Sequence, residues 1–349
     1  MSKSYLAAGP DAEEPVRVGL NGFGRIGRNL FRAVLEDPRV ELVGINDVMD
    51  AEEMRYLASY DTVMGRLDGV EYDADAGELA VGGTSVPLLD VQDPADLPWD
   101  EYDVDVALEC TGVFRTRADA ERHVEAGADT VVISAPPKGD EPVKQLVYGV
   151  NHDEYDGETV VSNASCTTNS VTPVAKVLDE EFGIEHGLLT TVHAYTGSQN
   201  LVDGPKAKTR RGRAAAENIV PTSTGAAQAA TRILPQLEGK LDGMAMRVPV
   251  PNGSITELVV DLESSPDAEA INDAFRAAAD DGPLAGVLGY TDDEVVSSDI
   301  VGLPFSSYVD LNSTNTVGDD GLAKILTWYD NEYGFSCRML DMAAFVDGY

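Results

Sequence analysis

A glycine-rich turn near the N-terminus places the strongest constraint on the fold. The chain reads Asn-Gly-Phe-Gly-Arg-Ile-Gly-Arg there, and Gly22, Gly24 and Gly27 fill the pattern Gly-x-Gly-x-x-Gly. A β-rich run precedes the turn at 16–21, and a helical pattern follows it at 25–36. This order is typical of a strand that feeds a helix whose N-terminus receives the pyrophosphate of a dinucleotide. The pattern therefore predicts a Rossmann-type domain with a parallel sheet.

Side chains after the neighbouring strands predict which dinucleotide binds. Asp47 ends the next strand, 20 residues after Gly27, where a carboxylate can bind the ribose hydroxyls and repel a 2′-phosphate. NAD is therefore predicted as the cofactor, and NADP is less favoured. Thr111, Gly112 and Ser134 follow two further strands, at the end where ligands of parallel sheets bind.

A cysteine lies at the predicted start of a second-half helix. The run Asn-Ala-Ser-Cys-Thr-Thr-Asn places Cys166 before residues with helical apolar spacing, and Pro173 is predicted to fall in the first turn. An exposed helix N-terminus is worth about 0.3–1 kcal/mol, which lowers the pKa of a thiol by about half a unit. The thiol would then stay mostly protonated at pH 7, so a partner is needed. His193, at a strand end, is the candidate, and its protonated form would stabilise the thiolate.

The other histidines give weaker signals. His123 falls in an acidic helical segment and is predicted to be solvated, whereas His152 and His186 are predicted to lie in loops. No metal site is predicted from these positions.

The charge of the chain restricts its partners. Asp and Glu number 61 against 25 Lys and Arg, a net charge of −36, which disfavours nucleic acid and anionic membranes. The acidic residues are spread along the chain, which favours a protein of concentrated salt over an ordinary acidic protein, because about 1 M salt screens charges within about 3 Å. One segment differs, and its Lys206, Lys208, Arg210, Arg211 and Arg213 indicate either anionic ligands or a solvated loop or subunit contact.

Cysteine usage and hydropathy indicate the compartment. The cysteines are Cys110, Cys166 and Cys337, which argues against a disulfide framework. No apolar run approaches a membrane span, and the N-terminus lacks the pattern of a signal peptide. A cytoplasmic protein is expected.

Six motifs in one order resemble the phosphorylating glyceraldehyde-3-phosphate dehydrogenase family of bacteria and eukaryotes. They are Asn-Gly-Phe-Gly-Arg-Ile-Gly-Arg, Ala-Ser-Cys-Thr-Thr-Asn, Thr-Val-His-Ala-Tyr-Thr, Pro-Thr-Ser-Thr-Gly-Ala-Ala, Met-Ala-Met-Arg-Val-Pro-Val-Pro and Trp-Tyr-Asp-Asn-Glu-Tyr-Gly. The resemblance runs from about residue 16 to the C-terminus. It implies oxidation of glyceraldehyde 3-phosphate to 1,3-bisphosphoglycerate by a homotetramer, with NAD and inorganic phosphate. Erythrose-4-phosphate dehydrogenase shares these motifs and is the alternative.

The resemblance also implies roles for matching residues. Cys166 would be the nucleophile that carries a thioester, and His193 its base. The implied substrate and phosphate sites comprise Ser165, Cys166, Thr167, Thr196, Arg211, Thr224, Gly225 and Arg247. The implied cofactor site comprises Asn21, Gly22, Phe23, Gly24, Arg25, Ile26, Gly27, Asp47, Thr111, Gly112, Ser134 and Asn331.

The expected fold class is α/β, with a Rossmann-type parallel sheet domain plus an α+β catalytic domain whose sheet is mostly antiparallel. The first half alternates strands and helices, whereas the second half has long β-type runs at 187–194, 243–250, 255–262 and 322–329. The expected organisation is a loose acidic tail at 1–15, an NAD-binding domain at 16–163, a catalytic domain at 164–333, and a C-terminal helix at 334–349 that packs back on the NAD-binding domain.

Overall fold

The computed structural model describes residues 14–318 and 321–348. Nearly all of the predicted acidic tail lies outside these residues. The described chain divides into two compact units. The first contains the residues up to Tyr148, His152–Ser165 and the stretch from Ser336 onward, and the second contains Gly149–Asn151 and Cys166–Phe335. The sequence predicts domain boundaries at 163/164 and 333/334, whereas the two units change at 165/166 and 335/336.

The regular elements are numbered here in chain order. The strands are β1 Val16–Asn21, β2 Val40–Asn46, β3 Tyr60–Asp61, β4 Gly65–Arg66, β5 Glu71–Asp73, β6 Glu78–Val81, β7 Thr84–Leu89, β8 Val106–Glu109, β9 Thr130–Ile133, β10 Lys144–Gln145, β11 Val160–Ser162, β12 Ile184–Ala194, β13 Val220–Ser223, β14 Leu241–Val248, β15 Ser254–Leu262, β16 Leu288–Thr291, β17 Ser307–Asp310, β18 Asn315–Val317 and β19 Leu322–Tyr329. The helices are α1 Arg25–Val34, α2 Ala51–Ser59, α3 Arg117–Glu125, α4 Cys166–Phe182, α5 Ala226–Ile233, α6 Ala268–Asp280 and α7 Tyr333–Asp347.

The first unit is built on a sheet in the order β10-β11-β9-β8-β1-β2-β7-β6-β5. From β10 to β7 all neighbours are parallel. Strands β8 and β9 are buried along their whole length, as expected for strands covered on both faces. The parallel register brings the ends of β1, β2 and β8 to one edge, where the glycine turn begins.

The segment 61–90 is partly strand. Strands β5, β6 and β7 form an antiparallel meander that extends the parallel sheet beyond β2. These strands are short and largely half-buried or exposed, so their hydrophobic pattern is weak. Pro87 lies within β7, and a proline in a run argues against a strand when only the sequence is read.

The second unit is built on a mostly antiparallel sheet in the order β13-β14-β12-β15-β19-β17-β16. Strand β15 alternates strictly between buried and half-buried residues, and α4 packs against it and against β17 and β19. Two pairs within this sheet are parallel, β12 with β14 and β16 with β17. The predicted fold class is confirmed in both units.

Helix α4 is the long buried helix of the second unit, and Cys166 is its first residue. Pro173 therefore lies in the helix interior, so the prediction that it falls in the first turn was wrong. The missing N–H of Pro173 removes one intrahelical bond at this position. The chain enters the helix through Ala164, whose φ of 56° is left-handed and rare for a residue with a Cβ.

Helix α7 closes the chain. From Ser336 onward it belongs to the first unit, and Asp341 accepts a 2.6 Å ion-pair contact from Arg39. Ser336 also bonds to the backbone carbonyl of Ile26. In the part of the chain that the structure describes, no helix combines the length and apolar character needed to cross a membrane.

Candidate functional site

The three glycines of the turn serve different purposes. Gly22 has a φ of +102°, and a Cβ there would lie 2.6 Å from the amide nitrogen of Thr111. A Cβ on Gly27 would lie 2.0 Å from the carbonyl oxygen of Gly22. Gly22 and Gly27 are therefore required by the fold itself. Gly24 has open space around it, so its missing side chain leaves room for a ligand at the N-terminus of α1.

Asp47 lies beside this turn with both carboxylate oxygens held by the backbone. One accepts the N–H of Phe23 at 2.6 Å, and the other accepts the N–H of Met49 at 3.0 Å. A pocket of about 420 Å³ opens here, lined by Asn21, Gly22, Gly24, Asn46, Asp47, Val48, Val91, Gln92, Cys110, Thr111, Val113 and Phe114. An open glycine at a helix N-terminus and a fixed carboxylate in one pocket fit a dinucleotide.

Other predicted cofactor residues lie at the edge of this pocket or away from it. Phe23 is buried beneath the turn and packs edge-on against Phe31, and Arg25 forms an ion pair with Asp61. Predicted residues outside the pocket lining are Phe23, Arg25, Ile26, Gly27, Gly112 and Ser134. Asn331 belongs to the second unit, where its side-chain oxygen accepts a 2.7 Å bond from Ser254.

The second unit brings Cys166 and His193 together. The Cys166 Sγ lies 3.6 Å from the His193 Nε2. Helix α4 supplies the cysteine at its N-terminus, and β12 supplies the histidine near its end. Strand β14 runs parallel to β12 in a register that pairs His193 with Arg247. Sheet register therefore places a cation beside the thiol–imidazole pair.

The hydrogen bonds of His193 indicate its tautomer. Its Nδ1 lies 2.7 Å from the carbonyl oxygen of Ala194 and 2.9 Å from the Arg247 Nη1. Arginine can only donate, and the same Nη1 donates to that carbonyl at 2.9 Å. The shorter bond to Ala194 assigns the proton to Nδ1. The lone pair of Nε2 then faces the sulfur, as a general base requires.

Burial makes the pair neutral. It raises the pKa of the Cys166 thiol, against the opposing effect of Arg247. Burial, assisted by repulsion from Arg247, lowers the pKa of His193 to about 3. The sequence-based expectation of a protonated His193 is therefore not met in the described site, because an imidazolium would lose its hydration next to a guanidinium.

Arg247 has donors left for a ligand. Its Nε is buried and has no hydrogen-bond partner among the described residues. A buried guanidinium nitrogen without an acceptor is costly, and an anion would satisfy it.

A second polar cluster surrounds Arg211. Its guanidinium donates to Thr222 at 3.0 Å and to Ser198 at 3.3 Å, and Ser198 bonds to Thr196 at 2.8 Å. Arg211 also contributes to lowering the pKa of His193, so its charge reaches the site of the thiol. Hydroxyls around an arginine are typical of oxyanion binding sites.

The other predicted anion-site residues have differing surroundings. Thr167 is buried, and its hydroxyl lies 3.1 Å from the Tyr329 hydroxyl. Thr224 caps the amide of Ala226 at 3.1 Å, next to Gly225 at the start of α5. Ser165 directly precedes Cys166.

The basic segment of 206–213 serves more than one purpose. Arg213 pairs with Asp203 at 2.8 Å, and Lys208 donates to Ser223 at 2.8 Å. Only Arg211 of this segment lies in the hydroxyl cluster described above.

Sequence reasoning missed three groups that shape the site. Tyr329 is fully buried, lies 2.8 Å from the Thr191 hydroxyl and packs edge-on against His193. Ser254 orients Asn331, and Ser198 joins the Arg211 cluster. Tyr329 and Asn331 share the motif Trp-Tyr-Asp-Asn-Glu-Tyr-Gly, and their two-residue spacing is the signal that could have indicated Tyr329.

Two family models match most of the chain. A family model described as glyceraldehyde 3-phosphate dehydrogenase, NAD binding domain, matches residues 16–117, and one described as glyceraldehyde 3-phosphate dehydrogenase, C-terminal domain, matches residues 165–331. A glyceraldehyde-3-phosphate dehydrogenase of Haloarcula vallismortis is 70% identical over 95% of this chain and 98% of its own length. Its likeness supports the halophile origin predicted from the charge.

Proteins of other organisms are similar at lower identity. The enzyme named glyceraldehyde-3-phosphate dehydrogenase in Streptomyces coelicolor is 53% identical over 95% of this chain and 98% of its own length. A cytosolic one of Leishmania mexicana is 50% identical over 94% and 98%. The chain belongs to the glyceraldehyde-3-phosphate dehydrogenase family of NAD-dependent oxidoreductases.

Proposed function

We propose that this protein oxidises glyceraldehyde 3-phosphate to 1,3-bisphosphoglycerate through a thioester on Cys166. The observation that carries the proposal is the 3.6 Å contact of the Cys166 Sγ with a His193 Nε2 whose lone pair faces the sulfur. Arg247 and the Arg211 cluster add two places for phosphate groups in a chain that is otherwise strongly acidic.

The first half of the reaction forms the thioester. His193 Nε2 takes the thiol proton as the sulfur attacks the aldehyde carbon, and that proton then passes to the new hydroxyl. His193 next takes the hydroxyl proton while the carbon loses a hydride, which leaves a carbon–sulfur thioester. NAD, when bound, supplies the acceptor for the hydride. The N–H of Cys166 at the helix N-terminus supports the transient oxyanion.

The second half releases the acyl group. An oxygen of inorganic phosphate attacks the thioester carbon, the carbon–sulfur bond breaks, and the sulfur leaves as thiolate. The product is an acyl phosphate, and the thiolate regains a proton from His193. Arginine forks hold phosphate oxygens in two bonds at once, so Arg211 and Arg247 are suited to the substrate phosphate and the attacking phosphate.

We assign NAD as the preferred cofactor. Asp47 is fixed by two backbone bonds and cannot turn away from a ribose, so a 2′-phosphate would meet a carboxylate at close range. Cys110, Cys166 and Cys337 form no disulfide with one another, which supports a reducing compartment such as the cytoplasm.

A homotetramer is the proposed assembly. Leu201, Val202 and Ile219 of the second unit are each more than half exposed, at 77%, 71% and 67%. Apolar side chains on so charged a chain are suited to subunit contacts. Sedimentation equilibrium in 2 M KCl should give four times the 37.2 kDa chain mass, and a monomer would contradict the assembly.

The decisive assay measures phosphate dependence with two aldehydes. With glyceraldehyde 3-phosphate and NAD in high KCl, rates should rise with phosphate, and Cys166→Ser should lose at least about a thousandfold. A faster, phosphate-independent rate with erythrose 4-phosphate would favour the alternative enzyme. Unchanged turnover in Cys166→Ser would exclude the thioester route.

A further inference from the structure

A buried histidine, carboxylate and tryptophan lie directly beneath the cofactor pocket. His123 is completely buried in α3, so the prediction that it is solvated was wrong. Glu109, at the end of β8, is 1% exposed, and Trp99 is 0% exposed. Charged and polar groups are rarely buried this deeply unless their partners are built in.

The donors and acceptors of this group allow one arrangement. The indole N–H of Trp99 points at His123 Nδ1 over 3.0 Å, and indole can only donate. Nδ1 must therefore accept, so the proton of His123 is on Nε2, which lies 3.2 Å from the Glu109 Oε2. Trp99, His123 and Glu109 thus form a chain of donors that ends on the carboxylate.

Glu109 is also bonded to the pocket lining. Its Oε2 accepts the side-chain N–H of Asn21 at 2.6 Å, and its Oε1 accepts the N–H of Thr111 at 2.8 Å. The Thr111 hydroxyl also donates to Oε1, since its own oxygen accepts the N–H of Val113. Both Asn21 and Thr111 line the pocket. Four donors therefore converge on the Glu109 carboxylate: two from Thr111 and one each from Asn21 and His123.

The network continues across the pocket floor. Asn21 accepts from Asn46 at 2.7 Å, and Asn46 is held by the backbone of Val91 through bonds of 2.8 and 2.9 Å. Every bond has a fixed direction, because each amide oxygen and nitrogen has a partner of one type. The 3.4 Å contact of Asn21 Nδ2 with His123 Nε2 joins two donors and is not a bond.

Close packing around Trp99 fixes the end of the network that lies in the core. A Cβ on Gly19 of β1 would lie 3.1 Å from the indole, and a Cβ on Gly44 of β2 would lie equally close at 3.1 Å. The indole therefore lies across two glycines in the central strands and cannot shift without moving them. The network is anchored in the core at one end and ends at the pocket at the other.

We propose that Glu109 and His123 are positioning residues that hold Asn21 and Thr111 in the geometry that binds NAD. The proposal rests on NAD occupying the pocket of Asp47. Neither residue lines the pocket. Their effect should fall on cofactor affinity, with little change in turnover at saturating NAD.

Three variants test the network by titration calorimetry of NAD into the cofactor-free protein in 2 M KCl. Glu109→Gln places an amide N–H against a donor, and we expect NAD affinity to fall about tenfold, as for one lost buried hydrogen bond. His123→Leu should have a similar effect. His123→Gln can accept from Trp99 and donate to Glu109, so it should stay within about threefold of wild type.

Val106→Ala is the matched control. Val106 lies on β8 with Glu109 and is buried, so its truncation destabilises the core without touching the network. Its NAD affinity should stay unchanged. A Glu109→Gln protein that is folded and binds NAD as wild type does, or equal losses in His123→Leu, His123→Gln and Val106→Ala, would overturn the proposal.

Two further measurements keep the test decisive. Nitrogen-15 spectra of the four histidines in the wild-type protein should show His123 protonated on Nε2, and an Nδ1-protonated ring would refute the network. Asp47→Ala should weaken NAD binding. If it does not, the assigned pocket is wrong; if it does while Glu109→Gln binds normally, only the positioning role fails.

Discussion

At the scale of single residues, His193 couples the site to stability. Its pKa of about 3 in the folded protein lies below the ordinary value of 6.5. Between these values the unfolded chain binds a proton that the folded site does not, so the free energy of unfolding falls as pH falls from 6.5 toward 3. One such group contributes a slope of about 1.4 kcal/mol per pH unit.

Replacing His193 should remove that slope. We expect the free energy of unfolding of His193→Gln to depend less steeply on pH between 4 and 6 than that of wild type, measured by urea unfolding in 2 M KCl. His186→Gln is the control, because the His186 side chain is 69% exposed. Equal slopes in wild type and His193→Gln would show that His193 is already protonated in the folded site.

Asp47 is the second residue whose charge has a measurable consequence. Asp47→Asn removes a like-charge repulsion worth about 1–4 kcal/mol toward a 2′-phosphate, so the ratio of kcat/KM for NADP over NAD should rise about tenfold or more. Asp50→Asn removes the same charge nearby and keeps an N-cap side chain on α2. It should leave the ratio unchanged, and a shift of equal size would point to general charge instead.

Residues differed in how far the sequence predicted them. The positions of the glycine turn, Asp47, Cys166 and His193 in the fold could be predicted because local chemistry and position carried the signal, and their roles stay predictions. His123 could not, because an acidic helix pattern indicates solvent, whereas its burial depends on Trp99 and Glu109, which are distant in sequence. The neutral state of His193 also depended on tertiary burial and on Arg247 in another strand.

At the scale of elements, the turn between β1 and α1 contains glycines of two kinds. Gly22 and Gly27 are needed for the fold, whereas Gly24 is expected to leave space for the ligand. Gly27→Ala would force a Cβ to within 2.0 Å of a carbonyl oxygen, and should cost about 3 kcal/mol or more in the free energy of unfolding. Gly24→Ala meets nothing within 4 Å, so its cost should be limited to the weaker N-cap that Ala gives α1, about 1 kcal/mol or less.

The two glycine variants should also differ in NAD binding. Gly24→Ala should be a stable protein with weakened NAD affinity, because its methyl group occupies the space that the pyrophosphate needs. Urea unfolding of the cofactor-free proteins and calorimetric NAD titration separate the two effects. A Gly24→Ala protein with unaltered affinity would show that the ligand does not approach this turn.

Element boundaries were predicted well where a strand or helix had a clear hydrophobic period. They were predicted poorly where pairing with a distant strand determines whether a segment becomes a strand. The antiparallel meander of β5 to β7 is stabilised by its pairing to the edge of the parallel sheet, which its own composition does not reveal. Helix α4 tolerates Pro173 in its interior because it is buried against the sheet, and most helical stability comes from such packing.

At the scale of the whole molecule, interactions within the fold do little to offset the repulsion that accompanies a net charge of −36. Surface carboxylates such as Asp68 and Glu52 remain exposed in their ion pairs, and such pairs are worth about 0–1 kcal/mol each. The two arginines at the thiol are the local exception. Repulsion among the remaining carboxylates must therefore be reduced by the solvent, and the Debye length shrinks from about 10 Å at 0.1 M salt to about 3 Å at 1 M.

We therefore expect the thermal unfolding midpoint to rise steeply as KCl increases from 0.1 to 1 M, and activity to be lost on dialysis below that range. Sucrose is the control, because it strengthens burial of surface without screening charge, and it should not replace KCl at 0.1 M. Calorimetry with residual activity measured on the same samples tests both points. Full activity and an unchanged midpoint at 0.1 M KCl would mean that the acidic surface is not an adaptation to concentrated salt. An equal rise of the midpoint in sucrose would show that burial of surface, and not charge screening, stabilises the protein.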